Sequence, residues 1–196
     1  MQYIFGYGSL ICADNRSRTG VSSQAYAVDV SGIARRWSVP VPDYGATALG
    51  AHQDDQARCN GVVFAVDDDN LVRFDQRERG YDRIRIDWSQ VENLGDTPLP
   101  AHRPLWAYVG TQADDPIPER PILQTYLDVI LNGCLAISPD FAERFIASTT
   151  PWQHLRDDRQ APGYPRALSD HSRHPDIDAL LHRTLPELVR ARRGVC

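Results

Sequence analysis

The sequence predicts an α+β fold whose sheet closes into a small barrel. Short segments rich in β-branched and aromatic residues fill most of the first hundred-odd positions, whereas helical apolar spacing dominates the last third. A run of strands followed by helices is typical of α+β proteins, and barrel closure removes exposed strand edges. The length of 196 residues is enough for one domain with a sizeable core.

Most of the predicted strands are short and bounded by Gly, Pro, Asp or Asn. One helix interrupts them, over residues 70–79, with an N-cap supplied by the run Asp67, Asp68 and Asp69 and with Gly80 as its C-terminal stop. The strands are expected at residues 3–5, 25–30, 33–39, 47–51, 62–66, 83–88 and 104–109.

Helices are expected over residues 121–137, 139–148 and 176–193. Pro186 should kink or divide the last of them, because proline cannot donate the helical hydrogen bond. The intervening residues 151–175 are polar and contain prolines, and loops of that length are usually functional or mobile.

Composition excludes several classes of function. The net charge of −5 argues against general nucleic-acid binding, and the absence of lysine excludes a Schiff base or a lysine general base. Cys12, Cys59, Cys134 and Cys196 are too scattered for a zinc site or a disulfide scaffold, which predicts free thiols and a cytoplasmic location. No signal peptide or membrane-spanning run is expected, so no membrane partner is predicted.

Residues 5–10, with the sequence FGYGSL, form the first candidate site. Two glycines two positions apart let the backbone turn sharply and approach a ligand, and such a turn presents N–H groups that can hold a carboxylate or an oxyanion. Taken alone, these six residues favour a plain corner between a strand and a turn. Ser9 does not lie in a nucleophile-elbow motif.

Glu78 is the second candidate. In helical projection it falls roughly 25° from the centre of the face defined by Leu71, Val72 and Phe74, whereas Arg77 points away. Burial of a carboxylate is costly unless it is paired or protonated, so this position predicts either a general acid/base or a helix end fixed by nearby arginines. Taken alone, the helix favours the second interpretation.

Other patterns give weaker signals. His171 and His174 lie three residues apart in a polar segment, but no metal-binding motif accompanies them, so no metal and no cofactor are predicted. Tyr126 lies on the apolar face of its helix, where a tyrosine is more often part of the core than a ligand contact.

Several of these segments together resemble the γ-glutamylcyclotransferase-like family. The loop at residues 5–10 is similar to that family's N-terminal Y-G-S loop, residues 60–64 to one of its strands, and residues 71–83 to the helix that carries its catalytic glutamate. Tyr126 is similar to a tyrosine that precedes a further helix. The resemblance covers roughly residues 2–150, and the region after Trp152 has no firm counterpart, which leaves the leaving group open.

The resemblance implies a closed mixed β-barrel with flanking helices over residues 1–150, with residues 151–196 as a C-terminal loop and helix packed on the same domain. It also implies an enzyme that converts a small γ-glutamyl compound into 5-oxoproline and a free amine or amino acid, without a cofactor. Glu78 would be the catalytic acid/base. The substrate-binding residues would be Tyr7, Gly8, Ser9, Leu10, Tyr81 and Tyr126.

The alternative is a non-catalytic module of the same fold that binds a γ-glutamyl compound or a partner. A glutamate at position 78 favours the enzyme, since a binding module has little need to bury a carboxylate. The sequence does not determine the oligomeric state.

Overall fold

The computed structural model describes residues 1–20, 24–110 and 114–194, and these form an α+β structure. Backbone contacts divide the chain into two units, Met1–Arg35 with Ala51–Thr111, and Arg36–Gly50 with Gln112–Cys196. The elements up to residue 110 are β1 Gln2–Gly6, α1 Ala13–Ser17, β2 Ala25–Val41, β3 Ala46–Val66, α2 Asp68–Arg77, β4 Asp82–Ile86, β5 Val91–Asn93 and β6 Leu105–Val109.

The sheet of the first unit is mixed, with strand order β4–β6–β1–β3–β2–β5. β1 pairs antiparallel to β3 and parallel to β6. Among the described strands this order has β4 and β5 at its two ends, and closure of the sheet into a barrel remains a prediction.

The two faces of β1 and β3 are covered differently, because side chains alternate along a strand. Phe5 is opposite Val63 in the register, and both belong to the buried apolar cluster on one face of the sheet. Ile4 is opposite Phe64 on the other face, where the Phe64 ring lies 5.4 Å from that of Phe74 in α2. The packing of Phe64 against Phe74 therefore attaches α2 to the sheet directly beside the end of β1.

Several predicted elements are confirmed with changed bounds. The predicted strands at 25–30 and 33–39 are one continuous strand, as are those at 47–51 and 62–66. The strand at 83–88 ends at Ile86, because Trp88 begins a 3-10 turn that is closed by an Asp87–Gln90 capping box. α1 and β5 were not predicted, and both are short and polar.

α2 begins two residues earlier than the sequence suggests and ends at Arg77. Of the three aspartates expected to supply the N-cap, Asp67 is the N-cap residue, and its carboxylate accepts from the Asn70 amide at 2.7 Å. Gly80 has a φ of +102°, which agrees with its predicted role as a stop. The prediction that Val72 lies on the buried apolar face of the helix is wrong, because this residue is 53% exposed.

The second unit is mainly helical. Its elements are β7 Ile122–Leu123, α3 Gln124–Ile137, α4 Pro139–Ala147, β8 Thr149–Thr150, β9 Leu155–Asp157, α5 His174–Thr184, α6 Pro186–Ala191 and β10 Arg193–Gly194. Within this unit α3 packs against α4 and α5, and β7 and β10 flank β9 in a small parallel sheet. Pro186 separates α5 from α6, as predicted. In the described part of the chain, no helix is long and apolar enough to cross a membrane.

Gly61 is required by the close approach of β3 to the end of β1. A Cβ at this position would lie 2.5 Å from the Phe5 ring and 2.6 Å from the Gly6 carbonyl oxygen. We expect Gly61→Ala to lower the free energy of unfolding by about 1–3 kcal/mol, the usual cost of overpacking. Gly95→Ala is the control, because its nearest atom would be 3.9 Å away. Equal urea midpoints for the two variants would contradict this prediction.

Candidate active site

The loop after β1 is folded tightly back on itself. A Cβ at Gly6 would lie 2.8 Å from the Leu10 Cβ and 3.3 Å from the Phe64 ring, so only glycine fits here without displacing either. Ser9–Ile11 form a 3-10 turn, in which the Ile11 amide donates to the Gly8 carbonyl at 2.9 Å. The predicted corner is therefore present, and it is compact.

Buried side chains hold the carbonyl groups of this loop. Arg35 donates to the Tyr7 carbonyl at 3.1 Å, and the Asn15 side-chain amide donates to the Ser9 carbonyl at 3.1 Å. Arg16 donates to the carbonyls of both Leu10 and Ile11 at 2.8 Å. The loop carbonyls are thus satisfied by the protein itself.

The backbone N–H groups of this loop differ from its carbonyl groups. In the part of the chain that the structure describes, the N–H groups of Gly8, Ser9 and Leu10 donate to no acceptor. These three residues are among those for which the family resemblance implies substrate binding. A row of such amides is suited to an anionic or polarised oxygen.

Arg16 adds positive charge next to the loop. It is 6% exposed, its guanidinium carbon lies 5.4 Å from the centroid of the Phe64 ring, and burial lowers its pKa. The hydrogen bonds recorded for its side chain in the described structure go to carbonyl oxygens rather than to a carboxylate. This guanidinium therefore favours negative charge in its neighbourhood.

Glu78 follows the last residue of α2 and serves as its C-cap. Its side chain is 19% exposed, and Oε1 accepts from Arg77 Nε at 2.8 Å. The nearby Asp75 is occupied elsewhere, since it accepts from Arg83 at 2.8 Å and from the Tyr108 hydroxyl at 2.8 Å.

Arg77 contacts both parts of the candidate site, although the sequence interpretation did not include it there. The helical projection directs it away from the apolar face, yet its side chain is 14% exposed and donates to Ser9 Oγ at 2.9 Å. The projection fails because α2 ends at Arg77, and a long guanidinium side chain can turn back beside the helix end. Its position next to Glu78 was the signal available in the sequence.

The other predicted substrate-binding residues have different surroundings. The Tyr7 hydroxyl donates to the Tyr108 carbonyl at 2.6 Å within the sheet. Tyr81 follows Glu78 in the same turn, where its amide donates to the Glu78 carbonyl at 3.0 Å. Tyr126 belongs to the second unit and is 9% exposed, and its ring lies 4.7 Å from that of Tyr164 and 5.8 Å from that of Trp37.

A second group of charged residues lies within the second unit. Asp128 is 1% exposed and accepts two hydrogen bonds from Arg159, at 2.7 and 2.8 Å. Arg159 also donates to Asp178 at 2.8 Å. Burial acts to lower the pKa of Arg159, but the two carboxylates raise it on balance. Asp158 ties residues 158–163 to α3, since it accepts from the Thr125 amide and hydroxyl and from the Gly163 amide.

His171 and His174 stack beside this cluster, with ring centroids 4.6 Å apart. His174 Nε2 lies 3.4 Å from Asp128 Oδ2. In the described ranges, no group of three or more His, Cys, Asp or Glu side chains is arranged to hold a metal ion. The three cysteines in these ranges, Cys12, Cys59 and Cys134, are buried and form no disulfide bond, and Cys196 lies outside them.

We expect His174 to make the protein less stable in mild acid. Burial lowers its pKa, with Arg159 and His171 acting in the same direction against Asp128 and Asp178. Below a pH of about 6.5 the unfolded chain therefore takes up this proton first, and stability falls as the pH is lowered. The loss in melting temperature between pH 7.5 and 5.5 should be smaller in His174→Gln than in wild type or in the exposed control His182→Gln. An equal loss in all three proteins would contradict the prediction.

The described structure has the fold of the γ-glutamyl cyclotransferases. A solved γ-glutamyl cyclotransferase matches it with a TM-score of 0.61 at 14% identity, over 93% of this chain and 98% of the other. An uncharacterized protein from Homo sapiens matches with a TM-score of 0.60 at 15% identity, over 75% and 87% of the two chains. YkqA from Bacillus subtilis matches with a TM-score of 0.55 at 19% identity, over 74% of this chain and 53% of its own.

These likenesses are at the level of three-dimensional structure. No protein-family model matches the sequence. The search of curated protein sequences likewise gave no match. The predicted resemblance to the γ-glutamyl cyclotransferase fold is thus confirmed, whereas activity and substrate are matters for proposal.

Proposed function

We propose that this protein is an enzyme of the γ-glutamyl cyclotransferase type, which releases 5-oxoproline and a free amine or amino acid from a small γ-glutamyl compound. One observation carries the proposal: the guanidinium of Arg77 contacts both the Glu78 carboxylate and Ser9 of the amide-bearing loop. The Glu78 carboxylate and the loop that carries the backbone N–H donors therefore contact the same arginine side chain. The shared fold supports the same assignment.

The proposed reaction is intramolecular. The α-amine of the γ-glutamyl group attacks its own γ-carbonyl carbon, a lactam ring forms, and the bond to the leaving nitrogen breaks. Glu78 accepts a proton from the attacking nitrogen and returns it to the leaving nitrogen. Because nucleophile and electrophile belong to one molecule, correct folding of the substrate can supply about 7–11 kcal/mol relative to a bimolecular reaction.

The backbone amides of Gly8, Ser9 and Leu10 would bind the α-carboxylate or the developing oxyanion. The Tyr7 hydroxyl donates a hydrogen bond to the Tyr108 carbonyl. Tyr7 would therefore support substrate binding by holding the loop in shape. Tyr81, which follows Glu78, and Tyr126 remain proposed substrate contacts. No metal or other cofactor takes part in these steps.

We also propose that the sheet of residues 1–150 closes into a barrel and that residues 151–196 pack on the same domain. The spacing of the cysteines in the sequence supports a cytoplasmic location.

A substrate panel tests this proposal. Purified protein is incubated with γ-glutamyl amino acids, γ-glutamylamines and glutathione, and 5-oxoproline is measured. We expect multiple turnovers with at least one substrate class, which would also identify the leaving group. Saturable binding without release of 5-oxoproline would instead support the non-catalytic binding module.

A further inference from the structure

Arg77 makes contacts that reach beyond its own helix. Its Nε donates to Glu78 Oε1 at 2.8 Å, and one terminal nitrogen donates to Ser9 Oγ at 2.9 Å. The other terminal nitrogen donates to Thr19 Oγ1 at 2.6 Å and to the Asn15 carbonyl at 3.4 Å. One guanidinium thus joins the end of α2, the loop after β1 and the segment around α1.

The geometry of these contacts requires arginine. A guanidinium is planar and presents its donors in a fixed fork, whereas a lysine ammonium is a single point of charge on a flexible stem. The three nitrogens of Arg77 point to three separate chain segments, and the side chain is 14% exposed. The arrangement therefore fixes the direction of the Glu78 carboxylate relative to the loop, in addition to balancing its charge.

We propose that Arg77 is a positioning residue, which holds the Glu78 carboxylate in register with the loop amides and uses the Ser9 hydroxyl as its anchor on the loop. This inference rests on the proposed function of the site. Arg77 would act through Glu78 and Ser9 without contacting the reacting atoms.

The proposal gives Ser9 a definite role. With the loop amides alone as ligands, Ser9→Ala should have little effect on the reaction. Since Ser9 Oγ accepts from Arg77, its removal should instead loosen the connection between the loop and Glu78. The two residues should therefore behave as one unit, and their effects should not add.

The kinetic test compares wild type with Arg77→Gln, Ser9→Ala and the double variant, on the substrate that the panel identifies. We expect kcat to fall about 100-fold in Arg77→Gln, the scale of loss for an ångström-sized misplacement, with KM changed by less than about threefold. Arg77→Lys should restore only part of this loss, because the charge returns without the fork. Ser9→Ala should lower kcat on its own and should have no further effect when Arg77 is already Gln.

Arg79→Gln is the matched control, since it removes the same charge two residues further on from an exposed side chain. It should leave kcat and KM unchanged. A wild-type kcat in Arg77→Gln, or full additivity of the Arg77 and Ser9 substitutions, would overturn the positioning role while leaving the proposed function intact.

A second measurement does not depend on turnover. Hydrogen exchange of the Ile11 and Cys12 amides, which donate to the carbonyls of Gly8 and Ser9, reports whether the loop is held. We expect about tenfold faster exchange in Arg77→Gln and wild-type exchange in Arg79→Gln. Unchanged exchange in Arg77→Gln would overturn the positioning role. If wild type turned over no substrate of the panel, the proposed function would fail, and exchange alone would decide the role of Arg77.

Discussion

Glu78→Gln is expected to lower 5-oxoproline release by about 10²- to 10⁴-fold, the usual contribution of a general acid/base. The amide keeps the shape of the side chain, and its oxygen can still accept from Arg77 Nε, now 2.8 Å from Glu78 Oε1. What it loses is the capacity to accept and return a proton. Substrate affinity should therefore change far less than kcat, because the proposed binding groups are backbone amides.

The control for this experiment is Glu92→Gln. Glu92 belongs to the same unit, and its side chain is 60% exposed and paired with Arg58. The Glu92→Gln substitution makes the same chemical change away from the loop, so this variant should retain wild-type kinetics. Near-wild-type release of 5-oxoproline by Glu78→Gln would show that the acid/base assignment is wrong, provided that the melting temperatures of the two variants are similar.

Asp128→Asn is expected to have the largest effect on stability. Asp128 accepts from Gln124 at 2.8 Å and twice from Arg159, so its carboxylate oxygens face donors alone. An asparagine would turn an N–H₂ group towards those donors and remove half of a buried ion pair. Removing one partner of such a pair costs about 3–5 kcal/mol, and Arg159 would then keep only its pairing with Asp178, whose side chain is 31% exposed and compensates a buried charge less well.

Urea unfolding measures this loss directly. Glu143→Gln is the matched control, since Glu143 pairs with Arg183 where both side chains are about half exposed. An exposed pair contributes about 0–1 kcal/mol, so this variant should unfold close to wild type. If Asp128→Asn also lay within about 0.5 kcal/mol of wild type, the buried cluster would not stabilise the fold as argued.

The sequence predicted the elements that have strong local signals. The α2 N-cap within the aspartate run 67–69 and the division at Pro186 depend on chemistry within a few residues, and both are confirmed. Strand continuity was predicted less well. β2 and β3 continue through Ser31 and through residues 52–61, because pairing with neighbouring strands, rather than local propensity, maintains an extended backbone there.

The candidate site shows the same contrast between local signals, which the sequence reveals, and contacts between distant segments, which it does not. The loop and Glu78 became candidates through residue type and spacing, and the family resemblance then favoured a functional role for both. The contacts of Arg77 with Ser9 and Thr19 join residues 68 and 58 positions apart, and periodicity along one helix carries no information on such pairs. Arg16 was missed for a similar reason, since it interacts with carbonyl groups, which every residue has.

The way in which the loop carbonyls are held has a consequence for the energetics of recognition. The carbonyls of Tyr7, Ser9 and Leu10 accept hydrogen bonds from Arg35, Asn15 and Arg16, all within the protein itself. The entropy of ordering this segment is therefore lost during folding, and a ligand that reaches the amides need not supply it again. Binding should then be close to rigid docking, and small molecules with few atoms could still bind at useful concentrations.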